Sequence, residues 1–75
     1  MPKRLEEVMA EALHVSPSAV NDTLAVNAIP QWDSLAHVEL MIALEQAYGV
    51  SIDEDRMLEL VSVRAIRDFL TRAGR

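Results

Sequence analysis

The stretch "WDSLAHVEL", residues 32–40, sets a serine hydroxyl between an acid and an apolar run, with a histidine three residues further on. A nucleophilic Ser34 would need a base and an orienting acid, yet the chain offers only His14 and His37, no G-x-S-x-G elbow and no oxyanion loop. Metal binding is no better founded, because His37 with Glu39 or Glu45 matches no strong ligand spacing. His37 reads instead as solvated or partner-facing. Taken as a single residue, Ser34 reads as a helix N-cap, since Ser and Asp are among the best caps. A third role suits its position better: acceptor of a phosphate-linked group added by another enzyme. A helix N-terminus stabilises an anion by about 0.3 to 1 kcal/mol through its unpaired N–H groups, so a phosphodiester could sit there without a basic side chain.

The element that must position this serine is a helix running from Asp33 or Ser34 to Tyr48, with Gly49 where a left-handed C-terminal cap is wanted. At about 100° per residue, Val38, Met41 and Glu45 fall within about 40° of Ser34. The apolar residues Leu35, Val38, Leu40, Met41, Ile42, Leu44 and Tyr48 spread over about 220°, beyond the stripe of roughly 100° that one-sided packing needs. Either the helix is central and packs on two neighbours, or its flank near Ser34 is kept for a partner or an apolar cargo.

The spacing of Leu5, Val8, Met9, Ala12 and Leu13 predicts a first helix over about 3–13, with Glu6, Glu7 and Glu11 in water. Residues 14–33 hold helix breakers but also the anchors Val15, Val20, Leu24, Val26 and Ile29, so they read as a long loop tacked to the core, with a turn near Ser18 to Asn21. A short acidic helix follows from about Glu54 to Leu60, capped by Asp53. A last helix, capped by Ser62, buries Val63, Ile66, Phe69, Leu70 and Ala73. No segment alternates with period two, so the fold class is all-α, a small four-helix bundle of three principal helices and a short one, in a single domain over 1–75.

Seventy-five residues bury only about 60% of the surface that the unfolded chain exposes, which leaves little room for an enclosed active site. Without cysteine there is no disulfide framework or thiolate metal site, and the expected setting is a reducing cytoplasm. The first residues are charged and periodic, unlike a signal peptide, and no apolar run approaches about 18 residues, so no membrane association is expected. A net charge of −5 argues against a nucleic-acid surface. Seven of the twelve acids lie between residues 33 and 59 (Asp33, Glu39, Glu45, Asp53, Glu54, Asp55, Glu59) with Arg56 as the one base there, a local net of −6. That concentration favours partners with basic patches.

The "DSL" of Asp33, Ser34 and Leu35, the continuation "VELMIALEQAYGV" and the later "LELVSV" resemble the acyl carrier proteins and related carrier proteins, across about residues 5–72. The resemblance implies that Ser34, within the Asp33–Leu35 motif, carries 4′-phosphopantetheine placed by a phosphopantetheinyl transferase from coenzyme A. Acyl groups would then ride as thioesters on the arm's thiol, making the chain a monomeric carrier and not an enzyme. It further implies that Glu39, Glu45, Asp53, Glu54, Asp55 and Glu59 meet basic docking patches on acyl-activating, acyl-transferring and synthase enzymes. Val38 and Met41 match positions that line the arm's exit and the cargo cavity, and the resemblance counts both among the partner contacts. Trp32 reads as a packed loop anchor, or as a partner contact if it is exposed.

The pattern also departs from carriers of fatty-acid synthesis, which usually show an acid two residues after the serine and a small residue before the aspartate. Here those positions hold Ala36 and Trp32, with His37 next. The departures point to a specialised carrier of polyketide, nonribosomal or other secondary metabolism. The alternatives are a peptidyl or aminoacyl carrier, an unmodified acidic helical adaptor and, third, a small hydrolase.

Overall fold

Every helix end is set by chemistry within a few residues of it. In the computed structural model, which describes residues 4–75, α1 spans Leu5–Leu13. The expected start at position 3 lies outside the described residues. Glu6 and Glu7 occupy the first turn of α1, where carboxylates complement the helix dipole. Leu5, Val8, Met9 and Leu13 turn inward. The helix stops at His14, whose φ of 59° is left-handed, and the Val15 amide returns to the Ala10 carbonyl at 3.0 Å.

The long loop that follows contains a 3₁₀ turn at Pro17–Ala19, one residue ahead of the expected one. Asn21 Oδ1 accepts from the Thr23 amide at 3.1 Å and forms a second turn. Val20, Leu24 and Trp32 are buried, and Val15, Val26 and Ile29 pack half-buried against the same core. A backbone contact that no periodicity announces fastens the loop further. The Val26 amide donates to Val61 O at 2.8 Å and the Val63 amide to Leu24 O at 3.0 Å, an isolated antiparallel bridge between Ala25 and Ser62.

The longest helix, α2, runs Ser34–Tyr48 and closes on Gly49, whose φ of 66° is the left-handed conformation glycine adopts without strain. A short α3 spans Glu54–Glu59 and α4 spans Val63–Arg72, capped by Asp53 and Ser62 as expected. The Asp53 carboxylate accepts from the Arg56 amide at 2.8 Å, and Ser62 Oγ from the Ala65 amide at 3.1 Å. These four helices are the α-helices of the described residues, an all-α bundle. α4 buries Val63, Ile66 and Leu70. Ala73, expected in that stripe, is exposed beyond the helix end, and Phe69 is half-buried beneath the Arg56 guanidinium, 5.5 Å from the ring centre.

The core gathers Leu5, Met9 and Leu13 from α1, Leu40, Met41 and Leu44 from α2, and Val63, Ile66 and Leu70 from α4. α3 contributes no buried residue. Its position therefore depends on its flanks and on a few specific bonds.

Candidate functional site

The expectation that Ser34 is itself the cap is corrected by the structure. The cap is Asp33, in extended conformation, with Oδ1 accepting from the Ala36 amide at 2.9 Å. Its carbonyl takes the His37 amide, also at 2.9 Å. Ser34 thus becomes the first helical residue. It is exposed, and no intramolecular hydrogen bond engages its hydroxyl among the described residues. The amides of Ser34 and Leu35 likewise have no acceptor within the described chain. Because a neighbouring residue does the capping, the hydroxyl and two N–H groups stand together at a helix end, facing water.

Behind the serine the structure overturns the reading of His37 as solvated. His37 is 7% exposed and Trp32 is fully buried. Trp32 Nε1 donates to His37 Nδ1 at 3.0 Å, and the rings lie 5.9 Å apart at 31°. On the other side, His37 Nε2 meets the Met57 carbonyl of α3 at 2.9 Å. The indole N–H can only donate and a carbonyl can only accept, so these partners assign the tautomer with hydrogen on Nε2. Both ring nitrogens are then occupied, and His37 has no lone pair to offer Ser34 as a base. Trp32 is the loop anchor of its two readings, and burial removes it from the candidate partner contacts.

The apolar arc of α2 divides into two. Leu40, Met41 and Leu44 are in the core, whereas Leu35, Val38 and Ile42, spaced i, i+3 and i+7, are 69%, 42% and 49% exposed. The bare stripe begins at the residue after Ser34. Glu39 is exposed beside it. Met41 is only 2% exposed, so it belongs to the interior and cannot meet a partner's surface as expected. Glu45 needs a similar correction. Its Oε2 accepts from the Ile52 amide at 2.8 Å, tying the end of α2 to the segment that leads into α3, so it is a structural acceptor and not a free docking charge.

On α3, Glu54 and Asp55 are exposed in the first turn, Asp53 is spent on the cap, and Glu59 pairs with Arg56 at 3.0 Å. Leu58 and Val61, 71% and 39% exposed, add an apolar component that the sequence reading missed. The available signal was that adjacent Met57 and Leu58 cannot both face inward from so short a helix. Among the described residues no group of His, Cys, Asp or Glu could hold a metal ion. No helix of the described residues is long and apolar enough to cross a membrane.

What this arrangement resembles among known proteins is consistent along the chain. The family described as "Phosphopantetheine attachment site" matches residues 3–70. A protein of Thermosynechococcus vestitus named acyl carrier protein is 31% identical over 68 residues, 91% of this chain and 84% of the relative. One from Campylobacter concisus with the same name is 31% identical over 71 residues, 95% of this chain and 92% of its own. An acyl carrier protein of Campylobacter hominis is 29% identical over 68 residues, covering 91% and 86% respectively.

Proposed function

The chain belongs to the acyl carrier protein family, and on that premise we propose that Ser34 is the residue bearing its 4′-phosphopantetheine. A carrier of this kind is not an enzyme. The bound group supplies a flexible arm ending in a thiol, on which acyl groups are held as thioesters. The observation that carries the assignment to Ser34 is its exposed hydroxyl, left unengaged because Asp33 caps the helix in its place. The fit extends to charge. A phosphodiester at this end of α2 would meet the open Ser34 and Leu35 amides and the positive end of the helix dipole. The chain has no cysteine, so no side-chain thiol competes for the acyl group.

Modification requires a phosphopantetheinyl transferase. Ser34 Oγ forms the new O–P bond, the pyrophosphate bond of coenzyme A breaks, the adenosine bisphosphate half leaves, and the hydroxyl proton passes to a base of the transferase. Nothing in this chain has to activate the serine, which agrees with the engagement of both His37 nitrogens elsewhere. The transferase and the enzymes that load and use the acyl group must all reach one small surface. The exposed Leu35, Val38 and Ile42 supply its apolar part. Glu39, Glu54 and Asp55 are the acids that steer basic partners, with Asp53 and Glu59 adding to the field. Val38 at the surface and buried Met41, one turn on, are the side chains that a cargo passing inward would meet first.

The pathway reading rests on where the residues depart from the common pattern. Ala36 and Trp32 support a specialised carrier of secondary metabolism, polyketide or nonribosomal, over a housekeeping one in fatty-acid synthesis. Incubation with a broad-specificity phosphopantetheinyl transferase and coenzyme A should raise the intact mass by one phosphopantetheinyl group, and Ser34→Ala should abolish the gain. An unchanged wild-type mass with several such transferases refutes the assignment. The group found on protein purified from its native host would identify the cargo and test the pathway.

A further inference from the structure

The pair Trp32 and His37 brackets Ser34, two residues before it and three after, and the bond between them closes a ring of side chains around the modification loop. Inside that ring lies the smaller one from Asp33 Oδ1 to the Ala36 amide. The loop is held from behind as well. The Trp32 amide donates to Ile29 O at 3.1 Å, and Trp32 O accepts from Asn27 at 2.7 Å, where the chain turns through a left-handed φ of 67°. Through Nε2 the same histidine reaches the Met57 carbonyl and so ties α3, which has no buried residue of its own, to the helix that starts at Ser34.

We propose that His37 is a positioning residue for phosphopantetheinylation, holding the Ser34 loop, α2 and α3 as one preformed platform for the transferase. The proposal rests on the assignment of Ser34 as the acceptor. Its physical basis is that a buried polar pair is a poor way to gain stability. Trp32 belongs to the core of Leu, Met, Val and Ile side chains and His37 is buried against it, where apolar residues of similar size would leave only the part-buried Met57 carbonyl to satisfy. What two directional bonds provide, and apolar packing does not, is one fixed geometry. Here that geometry sets the backbone on both sides of the acceptor hydroxyl. Misplacing a reacting atom by about 1 Å costs on the order of 100-fold in rate, so the platform acts on the transfer step. Docking on α2 is separate, because Leu35, Val38, Ile42 and Glu39 belong to the helix itself and stay in place when His37 changes, whereas the α3 acids Glu54 and Asp55 are held partly through His37.

The test is steady-state phosphopantetheinylation of the full chain, followed by intact mass, with thermal unfolding and the indole N–H resonance of Trp32 as structural readouts. The double variant Trp32→Phe/His37→Leu removes both polar partners together. It should stay folded and lose kcat by about tenfold or more, with a smaller change in KM because the α2 docking face is retained. His37→Gln, which offers both a donor and an acceptor, should recover part of kcat and provides the comparison if the double variant does not fold. A folded double variant modified at the wild-type kcat overturns the proposal, as does a folded Gln variant that loses its indole bond without any change in kcat. Failure of the wild type to be modified at all would refute the Ser34 assignment, a separate outcome.

Discussion

Replacing Glu45 separates two roles that one acid on α2 could have. The carboxylate lies in the last turn of the helix, where the dipole disfavours negative charge, so its presence there calls for a compensating contact. That contact is the 2.8 Å bond from the Ile52 amide, half-buried and closing the turn between α2 and α3. A hydrogen bond to a charged group contributes about 1.5 to 3 kcal/mol, and partial exposure brings the expected loss in Glu45→Ala to about 1 to 2 kcal/mol. Against a total of about 3 to 5 kcal/mol for so small a core, the loss is large. It should lower Tm by roughly 5 to 10 °C, measured by circular dichroism at fixed pH and salt. Glu45→Gln keeps an acceptor without the charge and should lose about half as much. Glu39→Ala makes the same change of charge at an exposed site and should stay within about 0.5 kcal/mol of wild type. The kinetic pattern reverses: Glu39→Ala should slow modification most at low salt, and Glu45→Ala should leave the salt dependence unchanged. Equal Tm values for the two Ala variants, or loss of salt dependence in Glu45→Ala alone, would refute the structural role.

The cap and the acceptor should separate in the same way. Asp33→Ala should cost about 1 kcal/mol of stability by denaturant unfolding, while Ser34→Ala should stay within about 0.5 kcal/mol. Leu44 is fully buried, and Leu44→Ala should cost about 2 to 5 kcal/mol, enough to consume most of the stability and leave a largely unfolded chain by circular dichroism. Tyr48, the sole tyrosine, has its pKa raised from 10.0, first by burial and then by the Glu6 carboxylate, with Arg67 opposing. The folded chain thus keeps the phenol proton to higher pH than the unfolded one. Its stabilising contribution is complete below 10.0 and lost as pH rises through the folded value. Ultraviolet titration of the phenolate should show a midpoint above 10.0 that falls back in denaturant, and identical midpoints would refute the shift.

The features legible in the sequence were those decided within one helical turn. Asp53, Ser62 and Gly49 act on amides or carbonyls three or four residues away, so their roles follow from residue type and position alone. The α1 stripe is legible for the same reason, since its period is a property of the helix itself. The serine at the start of α2 was legible too, but not which of two adjacent capping residues would cap. That depends on a one-residue difference in where helical backbone begins, and it spends the Asp33 carboxylate on the cap while leaving the Ser34 hydroxyl to spare.

What only the tertiary structure decided is how residues far apart in sequence cover one another. An apolar arc of about 220° on α2 does not say which part has neighbours, and the fold left Leu35, Val38 and Ile42 bare while covering Met41. His37 and Glu45 carry polar groups that suit water equally well. They became structural because the Trp32 indole, the Met57 carbonyl and the Ile52 amide arrive beside them from the loop and from α3. The bridge between Ala25 and Ser62 has the same origin. Local chemistry in the sequence determined where helices start and stop, and where a modifiable serine would stand. Burial and hydrogen-bond partnership are properties of pairs, and packing alone decides which pairs meet.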